Sequence, residues 1–212
     1  MNRPIAIDLY CGEGGASMGY HRAGFHVIGV DLHPQPRYPF TFHQGDALTL
    51  LPDLVRQYRP AAVAASPTCQ TRARVTSWRG KRENHPDLLT PTLDALDRLG
   101  LPYVVENVPE AAWDGTMRPD YLLCGTQFGL NVRRHRVFQR GHWAGYELLP
   151  PCRCYRNPTL LAFEHKGERA FTDALGCHWM TNLGGRQAIP PACTEHIGRQ
   201  LLVAVTAGRA AA

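Results

Sequence analysis

Cys69 stands in the segment Ser66-Pro67-Thr68-Cys69-Gln70, directly after a short apolar run at 61–65, with Arg72, Arg74, Arg79, Lys81 and Arg82 close behind it. A cysteine in an apolar core is an inert small hydrophobe. At the end of a strand, beside cationic side chains, a thiolate is favoured and nucleophilic chemistry becomes available. Glu106, with Asn107, follows a second apolar run at 102–105. A carboxyl group delivered there can act as an acid opposite the thiol. A lone glutamate would equally serve as a cap or a surface charge, and its pairing with Cys69 is what gives it a chemical reading. A third set of groups is Cys11-Gly12-Glu13-Gly14-Gly15, together with Asp31 at the end of the apolar stretch from His26. Glycines after a first strand let a ligand approach the backbone, and an acid ending the second strand can accept hydrogen bonds from two ribose hydroxyls. Together they indicate an adenosine-containing cofactor. Taken alone they suit nicotinamide and flavin enzymes equally well, or simply a tight strand-to-helix turn.

These residues need elements to bring them together. The pattern predicts a strand at 4–10, a helix reaching about residue 23, a strand at 26–31, a short strand at 41–43 and a helix near 48–58. It continues with a strand at 61–65, a helix over 86–99 burying Leu88, Leu89, Leu93 and Leu96, strands at 102–105 and 135–139, and a closing helix at 194–207. Such alternation predicts an α/β fold with a mostly parallel, doubly wound sheet whose site lies at the carboxyl ends of the strands. That edge would gather residues 8–15, Asp31, Asp46, 66–70, Glu106 and Asn107. Residues 71–85 have little apolar periodicity and read as a loop. From 140 to about 169 the composition turns to aromatics, prolines and charges with weak regularity. The expected organisation is a core at 1–139, a short insert at 140–170, and a segment at 171–212 that returns to the core.

The 212 residues suffice for one well-cored domain. The net charge of +5 gathers in two clusters, residues 72–82 and the arginines 133, 134, 136 and 140. Clustered cations suit a polyanionic partner, although either cluster alone would also serve as a solvated loop. The first residues read as a strand rather than a signal peptide, and no stretch approaches the roughly 18 apolar residues of a membrane span. Seven cysteines without a regular framework predict reduced thiols in a cytoplasm. The only close pair, Cys152 and Cys154, lacks the usual C-x2-C spacing. With His142, Cys177 and His178 as the partners considered, no metal is expected.

The ordered motifs DLYCGEGG (8–15), VDL (30–32), GDA (45–47), SPTCQ (66–70), ENV (106–108), RRHR (133–136) and QAIPP (187–191) resemble those of DNA cytosine C5-methyltransferases, especially short phage or prophage forms. The resemblance runs from about residue 5 to 200. It implies a Rossmann-like methyltransferase fold and S-adenosylmethionine as donor, leaving S-adenosylhomocysteine. Asp8, Tyr10, Gly12, Gly14, Asp31, Leu32, Asp46 and Ala47 would hold the cofactor, with Gln187 completing the pocket. Cys69 would attack C6 of a cytosine flipped out of double-stranded DNA. Glu106 would engage N3 and Arg136 O2, with Arg134 in support. Gln70, Arg72, Arg74, Arg79, Lys81 and Arg82 would contact the DNA. The chain departs from the family at Thr68, where proline is usual, and at Gln187, where asparagine is common. Its recognition insert is also short, which implies a short target, loose specificity or a helping partner for an otherwise monomeric enzyme. The competing readings are a non-catalytic DNA-binding relative and a nicotinamide-dependent oxidoreductase. An exocyclic-amine methyltransferase would instead carry an aromatic residue where Cys69 stands.

Overall fold

The computed structural model describes residues 3–69, 86–145, 147–154 and 169–210. Its centre is a seven-stranded sheet of order β3-β2-β1-β4-β5-β7-β6. The first five strands, β1 (Ile5–Leu9), β2 (His26–Asp31), β3 (Thr41–Gln44), β4 (Ala62–Ala65) and β5 (Tyr103–Asn107), pair in parallel with their neighbours. The edge is reversed: β7 (Arg136–Gly141) runs antiparallel to β5 and to β6 (Tyr121–Leu123). The doubly wound, mostly parallel α/β sheet is therefore as expected.

Strands buried on both faces need near-continuous apolar runs rather than alternation, and AVAA of β4 is buried at every position. Successive residues of β1, β2, β4 and β5 enter two separate cores. Ala6, Val27, Ala62, Ala64 and Val104 pack on one side with α1 (Gly15–Ala23) and the last helix, α7 (Pro191–Ala210). Ile7, Leu9, Ile28, Val30, Val63 and Val105 pack on the other with α2 (Ala47–Tyr58) and α3 (Leu89–Leu99). The lack of a side chain at Gly19 lets helices α1 and α7 approach closely, since a Cβ there would overlap Thr194 Oγ1 and the Pro191 carbonyl. The strand order reverses between β1 and β4, and a crevice opens at such a switch point beyond the carboxyl ends of the strands.

Four details differ from expectation. Glu106 and Asn107 lie within β5 rather than beyond it, because they pair with Phe138 and Val137 of β7. β7 begins at Arg136 and continues to Gly141, so the first residues of the insert belong to the sheet. Leu88 is only half-buried and precedes α3, whose core face is Leu89, Leu93 and Leu96. The sequence also concealed β6, a 3-10 turn at Gly125–Phe128, and the short helices α4 (Glu110–Trp113), α5 (Ala170–Leu175) and α6 (Asn182–Gln187). These segments have three to six residues, too few to express a period. A third, smaller core of Val132, Phe171, Leu175, Cys177 and Met180 underlies α5. Residues 142–145 and 147–153 form neither helix nor strand. The expected loop at 71–85 lies outside the described residues. Among the described residues no helix is long and apolar enough to cross a membrane.

Candidate active site

The turn after β1 is built from three left-handed residues, Tyr10 (φ 61°), Gly12 (φ 51°) and Gly14 (φ 90°). It is fastened by Cys11 N–H donating to the Val30 carbonyl and Gly14 N–H to the Cys11 carbonyl, each at 3.0 Å. The Gly12 N–H donates to Asp31 Oδ2 and the His33 N–H to Asp31 Oδ1, both at 3.0 Å. Asp31 is thus fixed at the end of β2, with a second lone pair on each oxygen able to accept from a diol. A Cβ on Gly12 would meet nothing within 4 Å, so the backbone there faces open space. Beside it, Leu32 is 59% exposed. Asp46 is also exposed, capping α2 by accepting from the Thr49 N–H at 2.8 Å. The hydrogen bonds from Thr49 hold its carboxyl below its ordinary range. Ala47 is buried beneath it. Open glycine backbone, a fixed acid, an exposed apolar side chain and a second acid fit the ribose, ring and amino group of an adenosine.

Two of the expected cofactor residues are placed differently from the others. Asp8 is buried below the turn, where its Oδ2 accepts from Ser17, which in turn accepts from the Tyr38 hydroxyl at 2.8 Å. Burial pushes its carboxyl up to about 7 against the pull of the Ser17 hydrogen bond. Its Oδ1 has no hydrogen-bond partner among the described residues. Gln187 is exposed, and its backbone carbonyl accepts from Arg134 Nη2 at 2.8 Å. The segment containing it wraps the glycine turn. Glu13 accepts from the Thr181 N–H and Oγ1, both at 2.6 Å, and its carbonyl accepts from Trp179 Nε1 at 2.8 Å. Sequence reasoning passed over Glu13; an acid between two turn glycines was the available signal.

The reactive groups lie at the ends of β4, β5 and the entry to β7. Tyr10 joins the two regions: its hydroxyl hydrogen-bonds Thr92 Oγ1 at 2.9 Å and its carbonyl accepts from Ser66 Oγ at 3.3 Å. Asn107 Nδ2 donates to the Pro67 carbonyl at 3.1 Å, gripping the segment that carries Cys69. Its Oδ1 accepts from the Val108 N–H at 2.9 Å. This holding role of Asn107 was legible only as its place beside Glu106. Glu106 is buried and its Oε1 pairs with Arg136 Nε at 2.8 Å. Arg136 Nη1 also donates to the His135 carbonyl at 2.7 Å. Arg134 is buried, and its Nε has no hydrogen-bond partner among the described residues.

Electrostatics tie these four groups together. Burial raises the Cys69 thiol, Arg136 and Arg134 draw it back, and Glu106 opposes them. Burial likewise raises Glu106, against Arg136 and Arg134. Arg134 falls to about 9, first through burial and then through repulsion by Arg136. Two guanidinium groups near a thiol and a carboxyl whose ionisation burial opposes suit negative charge arriving on a bound reactant. Gln70, Arg72, Arg74, Arg79, Lys81 and Arg82, the expected DNA contacts, lie outside the described residues.

The side chains around Cys152 and Cys154 differ from those considered in the sequence. Cys152 and Cys154 meet neither His142, Cys177 nor His178. His142 faces Asp97 at 3.6 Å, Cys177 donates to the Leu175 carbonyl at 3.6 Å, and His178 bonds Asp173 at 3.2 Å. The pair instead meets Cys124 and His135, whose ligand atoms with theirs all lie within 4.8 Å of one another. Spacing along the chain could not reveal partners brought in by β6 and β7.

No family model matches the sequence, and no curated protein does. Among solved structures the chain is similar to a DNA modification methyltransferase encoded within an E. coli prophage, with 20% identity, a TM-score of 0.48, and coverage of 64% of this chain and 45% of that one. It is also similar to the S. pombe Dnmt2 methyltransferase, with 20% identity, a TM-score of 0.48, and coverage of 69% and 52%. A third is the Entamoeba histolytica methyltransferase EhMeth, with 18% identity, a TM-score of 0.49, and coverage of 66% and 53%. The proteins this chain is similar to are thus methyltransferases of which it spans about half the length.

Proposed function

We propose that the chain is a DNA cytosine C5-methyltransferase working through a covalent Cys69 adduct. The observation that carries this reading is the convergence of Cys69, Glu106, Arg134 and Arg136 at one sheet edge, beside a turn and an acid fit for an adenosine. S-adenosylmethionine would supply an electrophilic methyl group, held by the Gly12 backbone, Asp31, Leu32 and Asp46. Cytosine C5 is a poor nucleophile until Cys69, its thiol proton released to solvent, adds as a thiolate at C6 and makes the ring enamine-like. Glu106 in its protonated form shares its proton with N3 as that addition proceeds. The carboxylate left behind is held by Arg136 Nε, already 2.8 Å away. Arg136 is the group assigned to cytosine O2, and Arg134 adds positive charge behind it. The one negative charge that the thiolate brings thus ends on the Glu106 carboxylate, where both arginines stabilise it. Loss of the C5 proton to a base, which water could supply, and expulsion of the thiolate complete the cycle.

The base must leave the duplex to reach this edge. Double-stranded DNA is therefore the proposed substrate, bound by Gln70, Arg72, Arg74, Arg79, Lys81 and Arg82 together with the insert at 140–170. The proposed division of labour keeps residues 1–139 and 171–212 for catalysis and cofactor. The test is incubation with radiolabelled S-adenosylmethionine and a duplex containing 5-fluorocytosine, which cannot release the enzyme after methyl transfer. A labelled covalent complex that disappears in Cys69→Ser supports the mechanism. A complex that persists in that variant excludes Cys69 as nucleophile, and folded protein that labels no DNA favours a binding protein without turnover.

A further inference from the structure

Cys124, His135, Cys152 and Cys154 come from three separate places in the chain. Cys124 follows β6, His135 lies immediately before β7, and the other two sit in the irregular segment after it. His135 Nε2 lies 3.1 Å from Cys152 Sγ and 3.4 Å from Cys154 Sγ, and those two sulfurs are 3.5 Å apart. A tetrahedral zinc ion, with Zn–S of about 2.3 Å and Zn–N of about 2.0 Å, sets its ligand atoms roughly 3.5 to 3.8 Å apart. Observed separations of this size need only small outward shifts to admit the ion. The sulfurs of Cys152 and Cys154 are too far apart to be bonded, and all the cysteines are free thiols.

The surroundings match the ligand set. Thr126 Oγ1 donates to Cys124 Sγ at 3.3 Å, the kind of outer hydrogen bond that orients a metal-bound sulfur. Three soft sulfurs and one imidazole select zinc over the oxygen-seeking cations. Four protein ligands complete the tetrahedron and leave no position for water, which marks a structural rather than a catalytic ion. The segment it would hold has no helix or strand at residues 142–145 and 147–153 to order it. A bound ion would add a cross-link to the hydrogen bonds that tie this segment, such as that of Gln127 Nε2 to the Pro150 carbonyl at 2.8 Å.

We propose that Cys124, His135, Cys152 and Cys154 form a structural zinc site that clamps the insert to the β6–β7 edge of the sheet. The ion also fixes His135, whose carbonyl receives Arg136 Nη1 and whose neighbours are Arg134 and Arg136. The clamp thereby positions the backbone of both arginines. The site stands whether or not the methyltransferase reading holds, because its test does not depend on turnover.

The test uses the full chain, purified under reducing conditions without a polyhistidine tag. Metal analysis is expected to find one zinc per chain. Exchange with cobalt(II) is expected to give a tetrahedral visible band and a near-ultraviolet thiolate-to-cobalt charge-transfer band. Cys152→Ser and Cys124→Ser should each weaken zinc binding by about tenfold or more, whereas His178→Ala, at a surface histidine outside the cluster, should retain it. In hydrogen exchange, chelation should expose amides in β6, β7 and residues 147–154 more than those in β1 to β4. If the serine variants fail to fold, the cobalt spectrum of the unaltered chain decides the matter. A reduced, folded chain that takes up no stoichiometric zinc or cobalt, or cobalt bound without the thiolate band, overturns the site. Iron found in place of zinc overturns the assigned metal.

Discussion

The two halves of the sheet share their apolar cores but differ in the polar links added to them. In the parallel half, β3-β2-β1-β4, order comes from apolar residues buried on both faces and from close helix approach at Gly19. In the edge, β5-β7-β6, the same cores continue through Val104, Val105, Val137 and Phe138, and polar links between distant residues are added to them. Arg118 pairs with Asp120 at 2.8 Å and donates to the Arg140 carbonyl at 2.6 Å, while Arg140 N–H donates to Asp120 Oδ2 at 2.9 Å. Trp143 Nε1 reaches the Tyr103 carbonyl at 3.0 Å. Apolar burial is additive and insensitive to orientation, so it makes a durable frame. Polar links are directional, and those of Arg136 to Glu106 and of Arg134 to the Gln187 carbonyl set where these side chains point. The difference teaches that stability and chemistry should respond to different substitutions.

The largest expected effect is that of Cys69→Ser, which should lower methyl transfer by about three orders of magnitude or more while leaving the thermal midpoint nearly unchanged. Single-turnover transfer and a melting curve on the same preparation measure both. Glu106→Gln comes next, with transfer slowed by about a hundredfold or more and stability altered less than rate, because the amide keeps an acceptor for Arg136 but has no acidic proton to transfer to N3. If its loss in rate were matched by loss of fold, the supposed separation of roles would fail. In the parallel half, Leu96→Ala should cost about 2–5 kcal/mol in chemical denaturation, since Leu96 is fully buried. The surviving folded fraction should bind cofactor normally.

Asp8 sharpens the comparison by placing a polar group in the apolar frame. Its folded pKa of about 7 exceeds its ordinary 3.8, so the folded chain retains a proton that the unfolded chain releases. Its contribution to stability is therefore most favourable below about pH 4, declines as pH rises through that interval, and is flat above about 7. Asp8→Asn should remove this part of the pH dependence, which denaturation at several pH values will show. The smallest effect is expected at the edge, where Trp143→Phe removes one hydrogen bond worth about 1 kcal/mol. Hydrogen exchange should find that loosening confined to β5 and β7.

Much of the parallel half was legible in the sequence. The run ending at Tyr10, the glycines after it and Asp31 are local signals, and the leucines of α3 recur at helical spacing. Cys69 could be recognised from its place after a strand of small apolar residues. Glu106 was recognised too, but as a residue beyond its strand, because the pairing partner in β7 is remote in the chain and reversed in direction. The grips of Asn107 on Pro67 and of Glu13 on Thr181 have no sequence period to announce them. β6, with three residues, was too short to read at all.

By itself the sequence determined the strand-and-helix alternation, the glycine turn with its acid, and the presence of a thiol and a carboxyl at strand ends, because each follows from contacts among neighbouring residues. Only the tertiary structure decided that Arg136 meets Glu106, that Arg134 holds the Gln187 carbonyl, and that Cys124 and His135 join Cys152 and Cys154. Those meetings depend on the reversed edge of the sheet, which brings together residues far apart in the chain whose individual preferences do not specify one another.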